Sequence, residues 1–367
     1  MRRHDLSHVL VALAFAWAAA LSAAQTPAAS DASPSAAPRV DKEDLDIALV
    51  LPVDDAAYGR AADAVRTGFL AAAESAGTRL RIRVFAHGED GVLPAFEAAQ
   101  RAGARVIVGP LVRDDLKIVA AMAIDLPYTI ALNQFDEAAG PPPTMYTFAL
   151  SIESDARLIA RRMRDTAPPT PSGAIPNVVV VGSETPLMKR FAGAFAGEWQ
   201  GAGGSVPTVL RFDTAVEAMT AMRRELQRRP PAAILLAMDG ASATLAKPYL
   251  GSVPAYASAL IFERVTIATA RDLNGLIVTE IPWIVTPNAT QFATLPRREM
   301  GSEALTRLYA LGLDAFRVAA AFKDGAPDRF SLDGATGQIA LDGRNFTRES
   351  RFAVFRDGNL LPVEGPR

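Results

Sequence analysis

Short, unbroken apolar runs recur along this chain, separated by segments long enough to form a helix. Ile47-Ala48-Leu49-Val50-Leu51, Val106-Ile107-Val108, Val178-Val179-Val180-Val181 and the run 232–237 show it most plainly. A strand with one solvated face alternates apolar and polar residues, whereas a strand covered on both faces of a parallel sheet is apolar throughout. Parallel neighbours need a crossover connection, normally a helix. The pattern restricts the chain to layered α/β architectures.

From Asp46 the spacing predicts a strand over 47–52, a helix over 61–76 stopped by Gly77, a strand over 80–85 and a helix over 93–101. A strand over 106–108, a helix over 116–124 and a strand over 128–132 complete a first series. The series restarts between Phe148 and Ser154 and repeats through strands near 178–181, 206–212, 232–237 and 255–261. A further strand, 275–281, looks like a lobe crossing, and an amphipathic helix over 301–322 follows. Asp342-Gly343 and Asp357-Gly358 then mark hairpin turns. The expected fold class is α/β, with two doubly wound lobes and a cleft between them. Lobe 1 is assigned 41–147 plus about 273–326, and lobe 2 is assigned 148–272 plus about 327–367.

With 367 residues, half of them hydrophobic, the chain has material for two ordinary domains. Its 38 basic and 40 acidic side chains leave a net charge of −2, which gives no field to gather a polyanion and argues against nucleic acid. There is no cysteine, which removes disulfides, thiolate metal sites, cysteine nucleophiles and a cysteine-borne lipid anchor. The three histidines are His4, His8 and His87, too few for a His-rich zinc centre. His87 lies in the acidic, Gly-flanked stretch 85–91 and reads as a surface-loop residue. No Gly-x-Ser-x-Gly elbow occurs, and Gly201-Ala202-Gly203-Gly204 lacks the Lys-Ser/Thr of a phosphate loop. Neither a metal nor a cofactor is expected, and no catalytic residue is assigned.

The N-terminus has the form of an export signal: Met1-Arg2-Arg3, an apolar run from Val9 to Leu21, and small residues before Gln25. Residues 1–24 are assigned as a signal peptide and 25–40 as a flexible Ala/Pro/Ser leader, which points to a periplasmic protein, with peripheral contact to the outer membrane left open. The apolar run is short for a membrane span.

Several spaced strings carry a family resemblance. They are Val106-Ile107-Val108-Gly109-Pro110-Leu111, Ile130-Ala131-Leu132-Asn133, Glu280-Ile281-Pro282-Trp283, the stretch Arg307 to Phe316, and Gly334 to Asp342. Together they resemble the C-terminal domain of the penicillin-binding protein activator (LppC/LpoA) family, built on the type 1 periplasmic-binding-protein fold. The resemblance implies a non-catalytic envelope protein that stimulates a bifunctional penicillin-binding protein by contact. Members are typically lipidated on a cysteine, whereas this chain has Ala24 at the matching place. The alternative function is a solute-binding receptor for an amino acid, amide or wall fragment.

In such a fold, ligands meet the loops that follow the strands. The candidates are Asp54, Asp55 and Tyr58 after the first strand, Leu111 and Arg113 after the third, and Asn133 after the fourth. From the second lobe come Ser183, Glu184, Asp239 and Trp283. Several have a structural reading beside the ligand one: helix capping for Asp54, Asp55 and Ser183, surface pairing for Arg113, and packing for Trp283, while Asp239 stands where it could accept an ammonium. Asp314 and Arg317 read as an ordinary helix pair.

Overall fold

The computed structural model describes residues 44–122, 126–135, 140–167, 173–264 and 270–363. The signal peptide and leader lie outside the described residues, as does Ile124 at the end of the expected 116–124 helix. The chain from Lys42 onward forms one unit that contains two sheets.

The first series gives β1 (Ile47–Leu51), α1 (Gly59–Ser75), β2 (Ile82–Ala86), α2 (Val92–Arg101), β3 (Val106–Val108), α3 (Arg113–Ala120), β4 (Tyr128–Ala131) and β5 (Met145–Phe148). β1 and β3 are buried at every residue, as their apolar runs require. The strands pair in parallel in the order 5-4-3-1-2, a doubly wound sheet whose switch point lies between β1 and β3. Periodicity missed β5, a four-residue strand that reads as part of a loop.

The second series repeats the plan with α4 (Ile152–Thr166), β6 (Val178–Gly182), α5 (Pro186–Gly201), β7 (Thr208–Arg211), α6 (Val216–Arg228), β8 (Ala233–Ala237), α7 (Gly240–Ala246), β9 (Ala255–Ser258) and β10 (Ile277–Glu280). The parallel order is 10-9-8-6-7, the same winding as in the first sheet. Each sheet carries a buried apolar cluster on both faces, so neither can be removed from its helices without exposing core.

The remainder is α8 (Pro282–Val285), α9 (Glu303–Ala321), β11 (Ser331–Asp333), β12 (Gln338–Asp342), β13 (Asn345–Glu349), β14 (Arg351–Arg356) and β15 (Asn359–Pro362). Its distribution corrects the expected lobe boundaries. β10, expected in the first lobe, is a strand of the second sheet, while α8 and α9 go with the first. The stretch 327–367, expected wholly in the second lobe, divides. β11, β12 and β13 extend the first sheet beyond β5, and β14 and β15 extend the second beyond β10. Phe346 on β13 explains this choice, since its ring packs against Tyr146, Phe148 and Phe322. Pattern along a strand records that a face is covered, not which sheet edge covers it.

The chain therefore passes between the lobes three times: after β5, after β10, and at Ser350 between β13 and β14. α9 packs along α1, and two glycines set the close approach. A Cβ on Gly68 would stand 2.0 Å from the Tyr309 carbonyl oxygen, and one on Gly312 2.1 Å from that of Val65.

Candidate functional site

The strand-end loops use most of the expected ligand-binding side chains for their own construction. Asp55 accepts from the backbone N–H groups of Ala57 and Tyr58 at 2.8 and 2.9 Å, closing the turn before α1. Asp54 is exposed beside it, close against Gly88, and Tyr58 is exposed at the N-terminal boundary of α1. Leu111 is buried, and its carbonyl accepts from Asn133 Nδ2 at 2.9 Å, while Asn133 Oδ1 takes the Gln134 N–H. Arg113 opens α3 and is half-buried.

In the second lobe the N-cap of α5 is Thr185, not Ser183. Ser183 instead donates its backbone N–H to the Ala237 carbonyl. Glu184 is exposed and pairs with Lys189 at 2.8 Å, a hydrogen bond that holds its carboxyl below the usual carboxylate range. Asp239 caps α7 through the Ser242 N–H at 2.9 Å. Trp283 is not a cleft wall: its ring is buried in the first lobe's core against Phe292 and Tyr309, with the Arg297 guanidinium 4.0 Å from its centroid.

His87 also departs from expectation. β2 runs to Ala86 in register with Leu51, and the His87 N–H bonds the Leu51 carbonyl, which draws the ring inward until only 3% is exposed. Its Nε2 lies 3.8 Å from Asp115 Oδ2 and has no hydrogen-bond partner. Burial pushes the Asp115 carboxyl up, with Asp55 and Asp114 adding to the rise and His87 opposing it.

The densest polar construction lies where the chain crosses between lobes. Arg307 of α9 forks onto Glu280 at the end of β10, Nη2 to Oε2 at 2.6 Å and Nε to Oε1 at 3.0 Å. The same Nη2 donates to the Ala259 carbonyl just beyond β9 at 2.9 Å. One guanidinium of the first lobe thus holds two strand ends of the second. At the third crossing, Arg348 donates to the Thr336 carbonyl, to Ser350 Oγ and to Asp155 on α4. Asp314, read from sequence as an ordinary helix pair with Arg317, is fully buried. It accepts from the N–H groups of Ala335 and Thr336 and from the Thr336 hydroxyl, at 3.0, 2.7 and 2.8 Å. Burial raises its carboxyl above the usual range, against the pull of those bonds. A cavity of about 220 Å³ opens between the Arg307–Glu280 and Arg348–Asp155 pairs, lined by residues of all three crossings and of α9.

The spaced strings of the sequence meet in pairs across the fold. The Gly109 N–H bonds the Ile130 carbonyl and the Leu132 N–H bonds that of Pro110. Glu280 meets Arg307, Asp314 meets Ala335 and Thr336, and the Trp283 N–H bonds the Ala335 carbonyl. Residues 41–358 match the family described as "LppC putative lipoprotein". The chain belongs to the LppC family.

Relatives of this LppC chain include the penicillin-binding protein activator LpoA of Edwardsiella piscicida, 27% identical over 318 residues, covering 74% of this chain and 45% of the relative. LpoA of Haemophilus influenzae is 25% identical over 293 residues, covering 77% of this chain and 49% of the relative. The chain spans about half the length of these curated relatives. Among solved structures, the LpoA C-domain of Haemophilus influenzae, described as a regulator of PBP1A, superposes with TM-score 0.71 at 23% identity, covering 87% of this chain and 100% of that one. A "putative branched-chain amino acid ABC transporter" of Chromobacterium violaceum superposes with TM-score 0.71 at 29% identity, covering 84% and 99%. The type 1 periplasmic-binding-like fold follows from both.

Among the described residues, no group of three or more His, Asp or Glu side chains is placed to hold a metal ion, and no helix is long and apolar enough to cross a membrane. Asp155, Glu280, Arg307 and Arg348, the charged residues of the crossings, were not singled out from sequence as functional. The available signal was a charge inside an apolar stretch: Glu280 ends Ile277-Val278-Thr279, and Arg307 interrupts the apolar face of α9.

Proposed function

We propose that this LppC chain regulates a penicillin-binding protein of the cell envelope by protein contact and carries out no bond chemistry of its own. The family match across residues 41–358, with relatives named as penicillin-binding protein activators, carries the reading. Two features of the geometry support it. Asp55, Asn133 and Asp239 are engaged by backbone groups, leaving less of the strand-end loops to grip a solute. Arg307 ties α9 to β9 and β10, which favours a body of fixed shape over one that closes on a ligand. The protein acts in the periplasm after export through its N-terminal signal.

The test uses protein beginning at Gln25 and a bifunctional penicillin-binding protein from the same cell, assayed with lipid II. Co-purification together with faster glycan polymerisation or cross-linking is the expected result. Absence of contact with an unchanged rate overturns the reading. A solute-receptor role is the second reading, favoured by the Chromobacterium violaceum structure, 99% of which this chain covers. A saturable rise in melting temperature with an amino acid, amide or muropeptide would move it ahead, since a ligand at 100 times its Kd adds about 2.7 kcal/mol.

A further inference from the structure

The four sheet edges of this protein are not guarded alike. Natural sheets blunt an edge strand with a charge, a proline or a very short strand, because its outward N–H and C=O groups otherwise invite another strand. The first sheet ends on β2, where the Arg83 guanidinium lies over the Phe85 ring 5.1 Å from its centroid, and on β11, which is only three residues long and ends in Asp333. The second sheet ends on β15, which closes with Pro362, and on β7, Thr208-Val209-Leu210-Arg211. The middle of β7 carries none of these guards.

β7 pairs with β6 alone. The Phe212 N–H bonds the Gly182 carbonyl at 2.9 Å. Backbone groups of successive strand residues point to opposite sides, so Leu210 and Thr208 also turn theirs toward β6, while Val209 and Arg211 turn theirs outward. The side chains around this open row are apolar. Val206, Val209 and Val216 are 73%, 68% and 61% exposed, the three most exposed large hydrophobic residues among those described. The fold itself does not require this, since Val84, which pairs with the middle of β1 as Val209 pairs with the middle of β6, packs against its own lobe's core.

We propose that β7 is a dimerisation edge, on which a second copy of this chain pairs antiparallel about a two-fold axis at Val209, joining the seven strands of each second sheet into one sheet of fourteen. A two-fold interface has to match its own surface, and β7 does. With the axis at Val209, this residue faces the partner's Val209 and exchanges both of its outward backbone bonds with it. Thr208 then stands opposite the partner's Leu210, and Arg211 opposite the partner's Pro207, so no arginine meets an arginine. An axis one residue later, at Leu210, would set Val209 against the partner's Arg211 and forfeit the apolar pair. The pairing uses up both open edges at once, which stops assembly at two copies. The dimer goes beyond the proposed regulation of a penicillin-binding protein and does not depend on it.

The experiment follows protein beginning at Gln25 by sedimentation velocity from about 1 to about 500 µM, the range suited to an interface of one strand and its flanks. The sedimenting mass is expected to rise with concentration and to level off at twice the monomer. Val209→Lys sets like charges against each other across the axis and should weaken the dimer at least about ten-fold, with the melting temperature of the dilute monomer unchanged because the side chain is exposed. The chain has no cysteine, so an introduced one reports contact directly. Under mild oxidation Val209→Cys should form a disulfide-linked dimer at least about ten-fold faster than Leu361→Cys, an exposed position on the opposite edge of the same sheet, because directly opposed Cβ atoms stand about 5 Å apart. A monomer throughout the range overturns the proposal. So do a mass that grows past two copies, a dimer as tight in Val209→Lys as in the parent protein, and equal cross-linking at the two cysteine positions.

Discussion

Arg307 on α9 grips Glu280 at the end of β10 with two donors, and neither side chain is exposed by more than 9%. The two residues stand 27 positions apart and belong to different lobes. Removing one partner leaves the other as an uncompensated buried charge, which costs far more than the pair gains. Arg307→Met should therefore lower unfolding stability by about 3–5 kcal/mol in a denaturant titration. Joint replacement, Arg307→Met with Glu280→Leu, should recover much of that loss, a non-additivity that an independent pair of sites would not show.

Asp314 serves as the anchor for the turn before β12, with three acceptor contacts to Ala335 and Thr336. Asp314→Asn turns one acceptor oxygen into a donor facing buried N–H groups, and we expect a loss of about 1–3 kcal/mol. Thr336→Val removes a single hydroxyl bond and should cost about 1 kcal/mol. Equal losses from the two variants would contradict the anchoring role.

The contact of α1 with α9 tolerates no extra methyl. A Cβ on Gly312 would lie 2.8 Å from the Phe69 nitrogen as well as 2.1 Å from the Val65 oxygen, so Gly312→Ala must push the helices apart. A loss of about 1–3 kcal/mol is expected, as for overpacked cores. Gly193 on α5 offers the contrast, because nothing lies within 4 Å of the added carbon. Gly193→Ala should stabilise by about 0.5–1 kcal/mol through helix propensity alone.

Asp115 gives a pH signature. Burial raises its folded-state carboxyl pKa above the ordinary 3.8, so ionisation is harder in the folded protein than in the unfolded chain. The sign follows from linkage: this group's contribution to stability grows as pH falls through the folded value toward 3.8 and is lost again as pH rises. Asp115→Asn should therefore be the more stable protein at pH 7, by less than about 1 kcal/mol because the site is partly open to solvent. The gap between the two melting temperatures should narrow as pH is lowered, and a constant gap would assign the effect to packing.

Apart from β5, strand and helix order in the two parallel series was legible in the sequence because a strand covered on both faces has no polar position to spare, and β1, β3, β6 and β8 are apolar for that reason. The same physics hid the candidate site. Periodicity reports that a face is covered and is silent about what covers it. It therefore did not tell that β13 would close on β5 through Phe346, or that the register of β2 with β1 would bury His87. The charged residues of the crossings were visible as letters inside apolar strings, but their partners lie on other elements. Glu280 and Arg307 acquire their pairing only when the second passage of the chain and the packing of α9 on α1 bring the two lobes together. What the sequence determined was local: which segments are strands, which are helices, and that the central strands of each parallel core must be sheltered. The tertiary structure decided which distant groups share a low-dielectric space, and burial there, rather than residue type, is what makes one ion pair a tie between lobes and another stretch of charge an ordinary surface.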